Sequence, residues 1–375
     1  MSSAIHRSLG QSLIIGLKGK SLLPEEAKFI VENNIGGVIL FDRNIEGPEQ
    51  LFYLCAELQK LSLQMPDKAP LFISIDMEGG RVHRLKAPFT KWPSAKKIGD
   101  LNSSSVAFLV ANCMGRELFA VGINVNFAPC ADVLTIPTNT AIGDRAFSDN
   151  IDAVGKIASA FVRGLLKADI IACAKHFPGH GNTLIDSHDD LPVETATLAQ
   201  LEEREIQPFK RAFRARLDLV MPAHIKFTNI DPDYPASLSR IFLKDLLHDK
   251  IRYRNLVITD DMGMKAITKN FEVGQAAVLA YQAGANLILY CNDFAAPEMA
   301  IQALIAAAES KAIDALTITT NHKRIIDLKK SKIKNFNFGK YTAVEKIIGC
   351  EQHQEIARAI GEGRVPQGTT DDDES

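Results

Sequence analysis

The chain predicts an α/β fold, a single (β/α)8 TIM-type barrel, on two observations. Short apolar runs of strand length recur about eight times, and longer stretches with helical spacing separate them from end to end. Most of the runs are continuously apolar, as expected of parallel strands covered on both faces.

The runs occupy residues 12–17, 37–41, 71–75, 123–128, 170–174, 219–222, 256–259 and 285–290. Helical spacing fills 24–34, 48–64, 103–121, 151–168, 198–216, 238–249, 272–283 and 297–310. Pro24 sits near the first helical position, with Ser21 upstream as a candidate cap. A doubly wound open sheet is the competing architecture. It lacks a GxGxxG after the first run and any composition break marking a second domain. The expected organisation is a catalytic barrel over 1–330, an extension over 331–362 with a helix between 342 and 362, packed on or beside the barrel, and a disordered acidic tail over 363–375.

Polar residues gather where the runs end. Asp76 follows the third run and Asp132 comes shortly after the fourth. Lys175-His176 closes the fifth, His224 follows the sixth, Asp260-Asp261 the seventh and Asn292 the eighth. In a barrel these strand ends share one mouth, so residues distant in sequence converge on one pocket.

Composition narrows the classes. The chain has 375 residues, 46% hydrophobic and 23% charged, an ordinary globular balance. A net charge of −2 and the lack of a basic run interleaved with aromatics argue against nucleic-acid binding. No secretory signal or bilayer-length apolar stretch is evident, so the reading is cytoplasmic with no membrane partner. Six scattered cysteines without CxxC spacing fit a reducing compartment and support neither a disulfide framework nor a metal site.

The densest chemistry lies in the segment KHFPGHGNTLIDSH, from Lys175 to His188. It joins a buried-strand signature to a Gly/Pro-rich loop carrying several titratable groups, where catalysis tends to reside. Asp186 and His188 are two residues apart, close enough for the carboxylate to orient and charge the imidazole, a plausible proton-transfer device. Asp260, at the end of its run, fits a nucleophile, a general base, a metal ligand or a helix cap. The His/Asp device favours a functional role, and Asp261 is the better cap. In the DMEGGRVHR loop, Asp76 is suited to vicinal hydroxyls and Arg84 to an anionic or carbonyl oxygen; an internal Asp–Arg ion pair is the alternative. Arg145, in IGDRAF, would by itself be a surface charge. His176, His180, Asp186 and His188 invite a metal, but HExxH and Cys pairs are absent, so no metal or other cofactor is expected. His180, between two glycines, reads as a loop stabiliser.

Together these elements resemble family 3 glycoside hydrolases, specifically bacterial β-N-acetylhexosaminidases of NagZ type. The likeness covers most of the barrel, roughly residues 9–330, and includes NFAPCADV at 126–133 and VITDDMGM at 257–264. The resemblance implies roles. Asp260 matches the nucleophile, His188 the general acid/base and Asp186 its dyad partner. Asp76, Arg84, Arg145, Lys175 and His176 match residues that hold the N-acetylglucosamine ring. It also implies release of non-reducing terminal N-acetylglucosamine from GlcNAc-1,6-anhydroMurNAc and its peptides during cytoplasmic peptidoglycan recycling, by a monomer or weak homo-oligomer. Cys130-Ala131 and Met262-Gly263 depart from the family pattern without touching a matched catalytic position. Two other readings stay open: a β-N-acetylglucosaminide phosphorylase on the same barrel, and a non-catalytic sugar-binding barrel.

Overall fold

The computed structural model describes residues 2–183, 186–187, 189–292, 294–333, 339–367 and 369. His188 lies outside the described residues, as do 368 and 370–375 of the expected tail. Eight parallel strands close into a barrel in sequence order: β1 (Leu13–Gly16), β2 (Gly37–Leu40), β3 (Phe72–Ile75), β4 (Val125–Asn126), β5 (Ile171–Phe177), β6 (Leu219–Pro222), β7 (Leu256–Asp261) and β8 (Leu287–Tyr290). Each coincides with one of the apolar runs. Register ties β8 back to β1 through Leu13 opposite Ile288 and Ile15 opposite Tyr290.

Alternation along the strands sorts two cores. Ile14, Ile39, Phe72, Ile171, Cys173, Leu219, Leu256, Ile258, Leu287 and Leu289 fill the barrel interior. Their neighbours pack outward against the helices in a second, larger cluster. This period of two decides the site. Stepping on from Phe72 through Ser74 reaches Asp76, from Ile171 and Cys173 reaches Lys175, and from Leu256 and Ile258 reaches Asp260. The residues after the apolar layers therefore take their places in the mouth. Pairing slips by a residue between Ile258 and Asp261 of β7 and between Lys175 and Phe177 of β5. Such bulges re-aim side chains at barrel rims.

Most helices follow the expected spans, with Ser103 and Asn150 accepting from Val106 N and Ala153 N as caps. Four details differ. The 198–216 stretch is two helices, Leu198–Glu203 and Ile206–Arg214, because Pro208 has no N–H and its ring crowds the carbonyl one turn earlier. Ser21 does not cap the first barrel helix; Glu26 takes the Leu23 N–H at 2.9 Å instead. The 342–362 stretch forms two short 3-10 turns and then the helix Glu351–Gly361. A further helix, Ala315–Lys332, capped by Asp314, was not expected; its Ile325 joins the barrel-interior cluster from the N-terminal end. Among the described residues, no helix is long and apolar enough to cross a membrane.

Candidate active site

Asp76 directly follows β3, and Glu78 lies in the ribbon that pairs Met77–Gly79 with Val82–His83. Lys175, buried on β5, reaches both carboxylates at 2.7 Å. Arg145 closes on Glu78 with two parallel bonds, from Nε at 2.9 Å and from Nη2 at 2.8 Å. Arg145 is thus a fixed, mostly buried cation and not the surface charge its sequence context suggests. Burial opposes ionisation of Glu78, but Arg145 and Lys175 outweigh it and hold the carboxyl well below the ordinary glutamate range. Burial likewise disfavours the Lys175 ammonium, and Asp76 and Glu78 overcome it, holding its pKa above the usual lysine value. Arg84 stands 3.9 Å from Asp76 and 5.4 Å from the Phe41 ring centroid. Its Nε is buried without a partner among the described residues. The internal Asp76–Arg84 ion pair is present but loose, and it leaves the Arg84 Nε donor unsatisfied.

His176 follows Lys175 on β5. Its Nδ1 lies 2.8 Å from the Asp132 carboxylate and its Nε2 3.4 Å from Arg145 Nη2. Nδ1 faces the Asp132 carboxylate, which only accepts, so the ring donates from Nδ1. Asp132 is fully buried and also accepts the backbone N–H of His176 and, at 2.6 Å, of His180. Burial opposes its charge, yet His176 holds it well below the ordinary aspartate range. Asp132 and Glu78 are polar anchors to which the sequence reading gave no role, although it placed Asp132 at the mouth. Glu78 sits two residues after Asp76, the spacing that puts both on one side of an extended chain.

Asp260 closes β7 and accepts the Asp261 N–H at 2.8 Å. Burial raises its pKa, but His176, His224 and Lys175 outweigh burial and bring it down to about 2, so the carboxylate is ionised at neutral pH. His224 is buried between Ser237 Oγ at 2.6 Å and the Asp261 carbonyl at 3.1 Å. Because a carbonyl only accepts, His224 donates from Nε2. Asp261 faces away, as alternation requires, but it is not a helix cap. Its side chain takes the Gly263 N–H at 2.9 Å and the Cys291 N–H at 3.0 Å, pinning the turn after β7 to the end of β8.

The loop after β5 is held from both sides. Gly181 passes so close to the Val133 carbonyl that a Cβ there would sit 1.7 Å from the oxygen. His180 is buried, with Nδ1 2.7 Å from Thr183 Oγ1 and Nε2 3.3 Å from Ser187 Oγ. Burial brings its pKa down to about 4, so it is a neutral strut, in keeping with the loop role expected of it. Beyond it, Ser187 O accepts from Ala266 N at 3.3 Å, and Lys269 Nζ reaches Asp189 O at 2.8 Å and Asp190 at 2.9 Å. Both partners belong to the short helix Lys265–Thr268 and the residue after it, directly downstream of Asp260. The segment bearing Asp186 is thereby tethered beside the β7 end.

Residues 8–328 match the glycosyl hydrolase family 3 N terminal domain. The chain is 33% identical over 327 residues to a beta-hexosaminidase of Idiomarina loihiensis, covering 85% of this chain and 96% of that one. The structure of a glycoside hydrolase family 3 beta-N-acetylglucosaminidase from Paenibacillus sp. superposes with a TM-score of 0.89 at 35% identity, covering 96% of this chain and 68% of that one. NagZ from Neisseria gonorrhoeae, solved with N-trifluoroacetyl-D-glucosamine, gives a TM-score of 0.76 at 28% identity over 94% of this chain and 97% of its own. Barrel and family together define a glycoside hydrolase. The chain belongs to glycosyl hydrolase family 3, among the beta-hexosaminidases of NagZ type.

Proposed function

We propose that the chain is a retaining β-N-acetylhexosaminidase that removes non-reducing terminal N-acetylglucosamine through a covalent intermediate on Asp260. The observation that carries this reading is an inward-facing carboxylate kept ionised by His176, His224 and Lys175, beside a tethered loop that supplies Asp186. An anionic carboxylate beside cationic groups suits attack on an anomeric carbon that develops positive charge. His188, assigned through the family likeness, gives a proton to the leaving oxygen as Asp260 forms its bond to the sugar. It then takes a proton from the water that releases the sugar and restores the carboxylate. An imidazole titrates near pH ~6.5, so it exchanges protons in both directions at neutral pH.

In this reading Asp76 and Lys175, paired at 2.7 Å, share sugar hydroxyls, and Arg84 offers its unsatisfied Nε donor to an acetamido or ring oxygen. Arg145 and His176 complete the set that holds the ring in this reading. The natural substrate in this reading is GlcNAc-1,6-anhydroMurNAc, with or without peptide, met in the cytoplasm during cell-wall recycling by a monomer or weak homo-oligomer. The barrel over 1–330 carries the chemistry and 331–362 packs on or beside it.

The deciding experiment compares two aglycones. Asp260→Ala should lose turnover of p-nitrophenyl N-acetyl-β-glucosaminide by at least about a thousandfold while staying folded. His188→Ala should lose far more activity on the disaccharide than on the aryl glycoside, whose leaving group needs little protonation. Substantial activity in folded Asp260→Ala, or equal losses of both substrates in His188→Ala, refutes the assignment.

A further inference from the structure

Cys130 has no part in holding the sugar, yet it sits against the residues that do. Its thiol donates to Asp132 Oδ2 at 3.0 Å, and His176 Nδ1 points at the same oxygen from 2.8 Å. Sulfur, imidazole nitrogen and carboxylate oxygen all lie within 4.8 Å of one another, and all three residues are buried. The least buried member of the cluster is His176, on the side of the pocket mouth.

A thiol, an imidazole and a carboxylate make a donor set favoured by zinc-like cations. Ligand bonds of about 2.0–2.3 Å place tetrahedral donors roughly 3.3–3.8 Å apart. The two measured separations therefore need to open by less than about an ångström for one ion to replace the two shared protons. The thiol proton and the imidazole Nδ1 proton leave, and thiolate, imidazole and carboxylate remain as ligands, with a fourth position for water.

We infer that Cys130, Asp132 and His176 form a binding site for a thiophilic divalent cation, of zinc or cadmium type, and that its occupation shuts the active site. Binding breaks the Asp132–His176 hydrogen bond that sets the ring facing Arg145. It also draws on the carboxylate that holds the His176 and His180 backbone N–H groups. It further puts a cation beside the sugar-binding residues. The inhibitory half rests on the glycosidase reading; the binding half does not.

The test is a Cd2+ titration of chelator-stripped wild type, Cys130→Val and Cys130→Ser, each checked for folding by circular dichroism. The ultraviolet charge-transfer absorption of a Cd–thiolate bond reports binding. Hydrolysis of p-nitrophenyl N-acetyl-β-glucosaminide, expressed as the ratio with and without metal, reports inhibition. The expected result is a one-equivalent band in wild type that both variants lack, and a tenfold or greater shift to higher Cd2+ for inhibition of the variants. A wild type without the band, a band that survives in Cys130→Val, or inhibition of all three proteins at the same concentration overturns the proposal. A protein that shows the Cys130-dependent band but hydrolyses nothing without metal sinks the glycosidase reading and leaves the site standing.

Discussion

At the scale of single residues, the site is a chain of buried charges in which each member depends on the next. Glu78 is the hinge of it, since Arg145 and Lys175 both close on its carboxylate. Removing one member of a buried ion cluster leaves the others uncompensated. Glu78→Gln should therefore lose on the order of 3 kcal/mol of stability in urea titration. The sign of its pH dependence follows from the depressed pKa. The stabilisation is complete above the ordinary carboxylate range near ~4.3 and is lost as pH falls below it, so the variant should respond less to acid than wild type. His180 acts in a higher window. Its folded pKa of about 4 lies below that of the unfolded chain, so between pH ~6.5 and 4 only the unfolded state takes up the proton. Stability should drop by up to about 2 kcal/mol from pH 7 to pH 5 through this residue. A His180→Gln protein with an unchanged drop over that interval would contradict the account.

At the scale of elements, the question is what holds the loop after β5 against the turn after β7. The tether through Lys269 is exposed, and exposed ion pairs contribute only about 0.2–1 kcal/mol. Its effect should appear in positioning more than in stability. Lys269→Ala is expected to change the melting temperature by no more than a degree or two while lowering kcat several-fold, since a small misplacement of a catalytic loop is costly in rate. Equal kcat in variant and wild type would show that the Ser187–Ala266 contact and the buried His180 strut hold the loop unaided. The bulges in β5 and β7 belong to this scale too. Both fall where an apolar strand turns polar, at Lys175-His176 and at Asp260-Asp261.

At the scale of the whole molecule, the C-terminal segment is stitched to the barrel by one buried carboxylate. Glu117 accepts from Thr90 N at 3.0 Å, Thr90 Oγ1 at 2.6 Å and Gly349 N at 3.1 Å, and pairs with His353 Nδ1 at 2.7 Å. The helix Glu351–Gly361 is thereby joined to the stretch that follows the Asp76–Arg84 loop. His353→Ala should cost about 1.5–3 kcal/mol in thermal or chemical unfolding. An unaffected unfolding midpoint would mean that the packing of Ile356 and Ile360 alone secures the helix. At the opposite end of the barrel, Ala315–Lys332 brings the buried Lys329 ammonium to Gln11 Oε1 and the Gly36 carbonyl, each at 2.6 Å. Burial pulls this lysine down to about 7.

The barrel and its mouth were legible in the residue pattern alone. Apolar runs of strand length, spaced by helical stretches, leave few other ways to bury their faces, and alternation along each run carries Asp76, Lys175 and Asp260 to one end. Helix breaks and caps were less legible: Pro208 splits a helix whose apolar spacing runs on uninterrupted, and Asp314 caps one whose exposed faces blur its period. Which charges meet became visible once the strands were assembled. Arg145 becomes a buried clamp because Glu78 arrives from another loop, and Asp132 becomes the anchor of His176 because β4 and β5 are neighbours. Such pairings depend on distances between segments remote in sequence, whereas the strand pattern depends only on each residue's own neighbours.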